Sequence, residues 1–429
     1  MRLDTIFTPN DQPTITYVDR SHRDLEKTLR SALLTPKMVT SLSGPSKTGK
    51  TVLLKSVIDE EQLIYLRGAY IKSLDDFFKA ILSWFEAPSE IVTSVTASTS
   101  ANLGAQAGSD FNIGFAKGKG ALEGGAEFSK SSTEGKTFGL NPFDQIVKEI
   151  SFSDFAIFLD DYHYMPREVQ EDVAKVIKSL AEAGVRVCTA LVPHRAEDVL
   201  KANPELKGRL ISIEIPEWDT EELRLISTRG FAALNAKLDD RISQRLAAEA
   251  MGSPQLMQVL CLNLCQQLNL QTIVIEEPQE LNVSEEVFAQ TLKMSANFAS
   301  SSELVQALHS GPKVKGTPRT QYELTDGTRG DVYRALLLAV TSDPITRDFS
   351  YDEIYQRVRR VCRREVPTGQ SISQSLKHMC NIASQQSQGR MILEWDDANL
   401  HIADPYLAFY MRASSKIEQL GKSGFEKKT

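Results

Sequence analysis

Residues 38–51 read Met38-Val39-Thr40-Ser41-Leu42-Ser43-Gly44-Pro45-Ser46-Lys47-Thr48-Gly49-Lys50-Thr51. The first six have the length and character of a buried strand, and Val52–Asp59 after them has the pattern of a helix. The eight between fit the spacing G-x-x-x-x-G-K-[ST] in its required strand–loop–helix context. Glycines at 44 and 49 let the loop turn with its N–H groups inward, so that they and the start of the helix cradle phosphate oxygens. Lys50 is then expected to reach the β- and γ-phosphates and Thr51 to offer its hydroxyl to Mg²⁺, with Gly44, Pro45, Ser46, Lys47, Thr48 and Gly49 lining the cradle. ATP and Mg²⁺ are the cofactors this pattern implies.

Working outward, short apolar runs alternate with amphipathic stretches through the first 220 residues or so. Strands are expected near 38–43, 63–67, 155–160, 185–192 and 210–215, the rhythm of a parallel sheet flanked by helices. The third of these ends Phe158-Leu159-Asp160-Asp161, delivering two carboxylates to the sheet's carboxyl edge, where ligands of such sheets bind. Asp160 is expected to hold Mg²⁺ through its water shell, and Asp161 to orient the attacking water. Aspartate is one methylene shorter than glutamate in that second position, so hydrolysis is expected to be slow.

The chain of 429 residues exceeds what one core supports, and several domains are expected. Residues 1–218 read as the sheet-bearing core, interrupted at 97–140 by an insertion holding nine of the 24 glycines. Inside it Phe111, Ile113 and Phe115, then Leu122, Gly124, Ala126 and Phe128, alternate about a Lys117–Gly120 turn, the pattern of a β-hairpin. Residues 219–305 read as a helical lid, 306–328 as a linker, 329–415 as a winged helix-turn-helix and 416–429 as a tail. In the fourth of these regions, helices starting at Arg329, Ser350 and near Ser371 precede a hairpin at 391–402, with Glu353 and Gln374 completing capping boxes.

A formal net charge of −7 argues against non-specific coating of nucleic acid, yet residues 311–390 hold 13 basic and 8 acidic residues. Arg357, Arg359, Arg360, Arg363 and Arg364 crowd the second helix of the winged unit and the turn after it, a pattern open to phosphate contact, to a protein-docking surface or to plain solvation. The presumed recognition helix offers chiefly Gln374, Lys377, His378 and Asn381. The five cysteines form no CxxC pair, and no apolar run reaches membrane-spanning length. A cytoplasmic protein with reduced thiols and no membrane partner is expected.

The phosphate loop, the string Leu159-Asp160-Asp161-Tyr162-His163 and the helix opened by Gly252-Ser253-Pro254 together resemble P-loop ATPases of the AAA+ and STAND type. Thr16-Tyr17-Val18-Asp19-Arg20 is similar to the entry segment of ATPases related to origin-recognition initiators, where it lies near the adenine. The resemblance covers roughly 1–305, and a C-terminal winged helix suits it. It implies that Tyr17, Arg20 and Pro254 approach the nucleotide. By the same resemblance, Arg209 matches an arginine finger given to a neighbouring subunit, and Arg195, beside His194, matches a γ-phosphate sensor. Gln255 stands where a second-sensor arginine often lies. The implied protein is an ATP-dependent, oligomerising switch or motor coupling nucleotide state to DNA or a partner protein. Two alternatives stay open: a nucleotide-gated DNA-binding regulator with little turnover, and a STAND-like defence or signalling scaffold acting through a separate effector protein.

Overall fold

The apolar runs of the first half become one parallel sheet. A computed structural model describes residues 2–45, 47–85, 141–192, 198–270, 279–313, 316–387 and 392–426. The expected hairpin at 97–140 lies outside the described residues. The chain divides into two compact units, one of residues 27–43 and 55–213, the other of residues 1–26, 44–54 and 214–429.

The first unit holds the strands β1 (Val39–Ser43), β2 (Leu63–Arg67), β3 (Ala156–Asp160), β4 (Arg186–Leu191) and β5 (Leu210–Glu214), in the order β2-β3-β4-β1-β5. Each lies within a residue or so of the run that predicts it. Parallel pairing sets Ile64 opposite Ile157, Ile157 opposite Val187 and Val39 opposite Val187. The inner strands are buried nearly throughout, which is why they read as continuous apolar runs rather than alternating ones. Phe77, Ile81, Ile146, Val173, Ile177 and Leu180, from three helices, close over the sheet in one apolar cluster. Ser73 caps Leu74–Trp84 by accepting from the Asp76 N–H, and Asn141 caps Pro142–Ile150, where proline takes the first turn.

The second unit is mainly helical. The helix Thr220–Ala233 opens on a complete capping box formed by Asp219 and Glu222. After it come β6 (Ala236–Leu238), the helices Asp240–Glu249 and Pro254–Gln267, β7 (Gln279–Leu281), and the helices Glu285–Ala296 and Ser302–Ser310. The stretch 306–328, expected as a linker, contains the end of that last helix and β8 (Tyr322–Glu323), which pairs with β9 (Arg329–Gly330) just beyond it. Leu308 and Leu324 are buried within it; two apolar anchors sixteen residues apart are too sparse to give a periodic signal.

Helices Val332–Val340, Tyr351–Val361 and Gly369–Gln386 then lead to β11 (Leu393–Trp395) and β12 (Asn399–Ile402), which pair as a hairpin. A short strand β10 (Asp348–Ser350), absent from the sequence reading, pairs with the other side of β12. The third helix is capped by Thr368, three residues before the Ser371 expected to open it. Helices Pro405–Ala413 and Lys416–Glu426 follow. Phe231, Leu260, Leu264, Leu336, Phe349, Leu376 and Phe409 belong to one apolar cluster, so the helices between Thr220 and Ser310 and the C-terminal elements share a core. The five cysteines are free thiols, and burial pushes that of Cys380 up to about 12. Among the described residues no helix is long and apolar enough to cross a membrane.

A buried ion pair ties the helix Pro405–Ala413 to Asp240–Glu249. Arg412 Nε donates to both Glu249 oxygens at 3.1 Å, while its other nitrogens reach Thr341 O and Asp343 Oδ1 at 2.7 Å. Burial pushes the Glu249 carboxyl up against the pull of Arg412. Arg412→Ala, which strands that carboxylate, is expected to cost about 3 kcal/mol by urea unfolding. Because the folded-state value is raised, the stranded carboxyl is tolerated better when protonated. The deficit should therefore be smaller near pH 5 than near pH 8, and an equal deficit at both would contradict this account.

Candidate phosphate-binding site

The helix after the loop runs Lys50–Lys55, two residues earlier at its start than expected, with Leu53 N–H donating to Gly49 O at 2.8 Å. Lys50 is buried, and its ammonium folds back on the loop, donating to Gly44 O and Pro45 O at 2.8 Å each. Thr48 Oγ1 donates to Pro45 O at 2.9 Å. Lys47 and Gly49 both take positive φ, at 65° and 92°. Such left-handed steps next to right-handed ones turn successive N–H groups toward one side, the concavity that receives anions. Gly44 has no alternative: a Cβ there would lie 2.6 Å from Ile215 O. Two aromatic residues grip the loop. Trp218 Nε1 donates to Thr48 O at 2.8 Å, and the Lys47 ammonium sits 3.5 Å from the centre of the Tyr406 ring. Thr51 occupies the second position of the helix, and Ser46 lies outside the described residues.

In the sheet-bearing unit, Asp160 ends β3 and Asp161 turns the chain at φ 53°. Asp160 Oδ1 accepts from the Asp161 N–H at 2.9 Å, and Oδ2 accepts from Tyr65 Oη at 2.8 Å. Tyr65 comes from β2, in register with Phe158, and Arg67 pairs with Asp160 itself. Burial, followed by the Asp160 charge, pushes the Tyr65 hydroxyl up to about 12, so it remains a donor. Gly68 lets the end of β2 approach this turn, since a Cβ there would meet Asp161 O at 2.4 Å. The His163 and Tyr164 rings lie tilted against each other, with centres 4.3 Å apart.

The remaining expected site residues come from several elements. Arg209 pairs with Glu182 Oε1 at 2.6 Å just before β5, and Arg195 lies outside the described residues. Tyr17 donates through its hydroxyl to Glu26. Arg20 is buried and fully engaged, donating to Glu222 Oε1 at 2.9 Å, Pro216 O at 3.1 Å and Glu217 O at 3.0 Å, with its guanidinium over the Trp218 ring. Pro254 is the first residue of its helix, capped by Ser253. Of the arginine cluster, Arg357 is buried and donates to Ser342 O, Pro344 O and Glu353 rather than to solvent. Arg359, Arg360, Arg363 and Arg364 are exposed, and Lys377 pairs with Asp397 at 2.8 Å. Sequence reasoning missed Trp218, Tyr406 and Tyr65 as neighbours of the loop and the acid pair, because each acts across a long stretch of chain without a motif.

A parallel sheet whose β1 passes directly into a G-x-x-x-x-G-K-T loop and a helix is the P-loop α/β fold. No protein-family model matches the sequence, and no curated protein matches it. Among solved structures the chain is similar to the Walker-type ATPase of Pyrococcus abyssi, with 13% identity and a TM-score of 0.48 over 93% of this chain and 100% of that one. It is similar to the ORC2 protein of Aeropyrum pernix, with 12% identity and a TM-score of 0.46 over 98% of each chain. The Cdc6p protein of Pyrobaculum aerophilum gives 14% identity and a TM-score of 0.39 over 97% of this chain and 98% of that one. The site is read from this chain's own residues.

The crowding at Gly68 is testable. Gly68→Ala sets a methyl against main chain that cannot yield cheaply, and is expected to cost roughly 1–3 kcal/mol in urea unfolding. Stability equal to the parent would show that the approach of β2 to the Asp161 turn is looser than described.

Proposed function

We propose that this chain is an ATP-binding, Mg²⁺-dependent ATPase of the AAA+ type, working as an oligomerising switch or motor. The observation that carries the reading is the phosphate loop itself, with Lys50 buried inside it and held by two carbonyls that a triphosphate can outcompete. An ammonium that donates to these carbonyls can pass to charged phosphate oxygens, which form the stronger hydrogen bonds. Gly44, Pro45, Ser46, Lys47, Thr48 and Gly49 supply the cradle. The Thr51 hydroxyl and the Asp160 carboxylate are hard oxygen donors of the kind Mg²⁺ takes, and they are the residues that would hold it. The ion would neutralise the charge of the β- and γ-phosphates.

Asp161 is assigned to orient water, and its short side chain supports slow turnover. Tyr17 and Pro254 are assigned to the nucleotide's base and lid side, and Arg195 to sensing the γ-phosphate. Arg20 is better supported as a clasp for the entry segment, since each of its three nitrogens donates to Glu222 or to one of two carbonyls. Arg209 serves as a finger in a neighbouring subunit only by leaving Glu182, an exchange that a γ-phosphate can drive. The C-terminal helices and hairpin are assigned as a winged helix-turn-helix, with exposed Arg359, Arg360, Arg363 and Arg364 facing DNA phosphates. Little turnover combined with such a face is the property of a nucleotide-gated DNA-binding regulator, and Asp161 favours that second reading.

Lys50→Ala is expected to lower ATP affinity at least tenfold, and Asp160→Asn to keep nucleotide binding while losing Mg²⁺-stimulated hydrolysis. Fluorescent-nucleotide titration and phosphate release check both. Light scattering with and without ATP and Mg²⁺ checks assembly. Unaltered binding by Lys50→Ala would remove the proposal.

A further inference from the structure

Trp218 has no place in the loop motif, yet it holds the carbonyl of Thr48, two residues before Lys50. Its Nε1–H donates to Thr48 O at 2.8 Å. In a trans peptide the C=O and N–H of one unit point in opposite directions. Fixing the Thr48 carbonyl toward the indole therefore turns the Gly49 N–H to the other face of the loop. Gly49 meets this demand at φ 92°, a value open to glycine. Gly44 O and Pro45 O are held by Lys50 and Thr48, within the loop, and Gly49 O by the N–H of Leu53 on the helix that follows. Trp218 comes from outside both the loop and that helix.

The indole is itself held. The Arg20 guanidinium lies 4.8 Å from its ring centre, and Arg20 is fixed by Glu222 and by the carbonyls of Pro216 and Glu217, the two residues before Trp218. Glu222 is locked in turn by the capping box, accepting from Asp219 N at 3.0 Å. A rigid donor on a rigid mount is what preorganised anion binding requires.

We infer that Trp218 is a positioning residue for phosphate recognition, setting the Gly49 amide toward the bound anion through the Thr48 carbonyl. This rests on the nucleotide reading above. The full chain is compared as parent, Trp218→Phe, which keeps an aromatic ring without the N–H, and Trp218→His, which restores a ring N–H. Titration with a fluorescent ATP analogue is expected to show about tenfold weaker binding for Trp218→Phe and recovery to within about threefold for Trp218→His, the scale of one hydrogen bond to the loop. In nucleotide-free protein, hydrogen exchange over residues 44–50 is expected to be faster for Trp218→Phe and restored by Trp218→His, with the thermal midpoint unchanged. If parent and Trp218→Phe bind ATP equally, or if the Phe and His variants fall together, the inference is overturned while the nucleotide reading stands. If the parent binds no ATP, the nucleotide reading fails and the role in phosphate recognition fails with it; the exchange data then report only on loop geometry.

Discussion

A loop that aims several main-chain amides at one point turns its carbonyls away from that point, and those carbonyls need partners of their own. This constraint organises residues 44–50. Gly44 O and Pro45 O take the Lys50 ammonium, Pro45 O also takes the Thr48 hydroxyl, and Thr48 O takes the Trp218 indole. At Gly44 the chain passes so close to Ile215 O that no side chain fits. The loop is thus shaped from its outer side, and an anion would find amides already oriented rather than having to bear the cost of turning them.

The outer supports are charged and buried, which makes them exacting. Arg20 and Glu222 are both nearly inaccessible, and removing either partner would strand a charge. Glu217 holds Arg20 through its carbonyl and Arg347 through its carboxylate, and Arg347 donates onward to Ile402 O and Ala403 O at the end of β12. Lys47 meets Tyr406 on the helix that follows. Arg412, on the same helix, reaches Glu249. The phosphate loop and the C-terminal hairpin therefore lean on one set of residues. Such a network prefers discrete arrangements over gradual deformation, since each ion pair is either made or left unpaired at high cost.

What the sequence made legible follows the range of the interaction. The strands stand out because burial on both faces leaves continuous apolar runs, and the loop stands out because its geometry demands glycine and lysine at fixed spacing. Caps are local as well, yet Thr368 rather than Ser371 opens its helix, since neighbouring hydroxyl residues compete and only the backbone decides. Tyr65 beside Asp160, separated by 95 residues, leaves no mark in the chain, nor does Trp218 beside Thr48, separated by 170. The burial of Arg20 against Glu222 is likewise a tertiary fact that the entry segment alone does not carry.

Arg357 carries the same lesson into the basic face. Counted along the chain it joins Arg359, Arg360, Arg363 and Arg364, but its guanidinium closes the turn at Ser342 and Pro344, over the Phe349 ring. The charge left at the surface lies at the end of the helix Tyr351–Val361 and the turn beyond it, while Lys377 on the next helix is matched by Asp397. Arginines grouped in this way suit phosphates, which fix position and affinity without reading bases. For a nucleic-acid partner such a face gives salt-dependent holding with little sequence choice. Selectivity would then have to come from the conformational state of the protein. On the proposed nucleotide reading, the supports shared by loop and hairpin would be the route by which nucleotide sets that state.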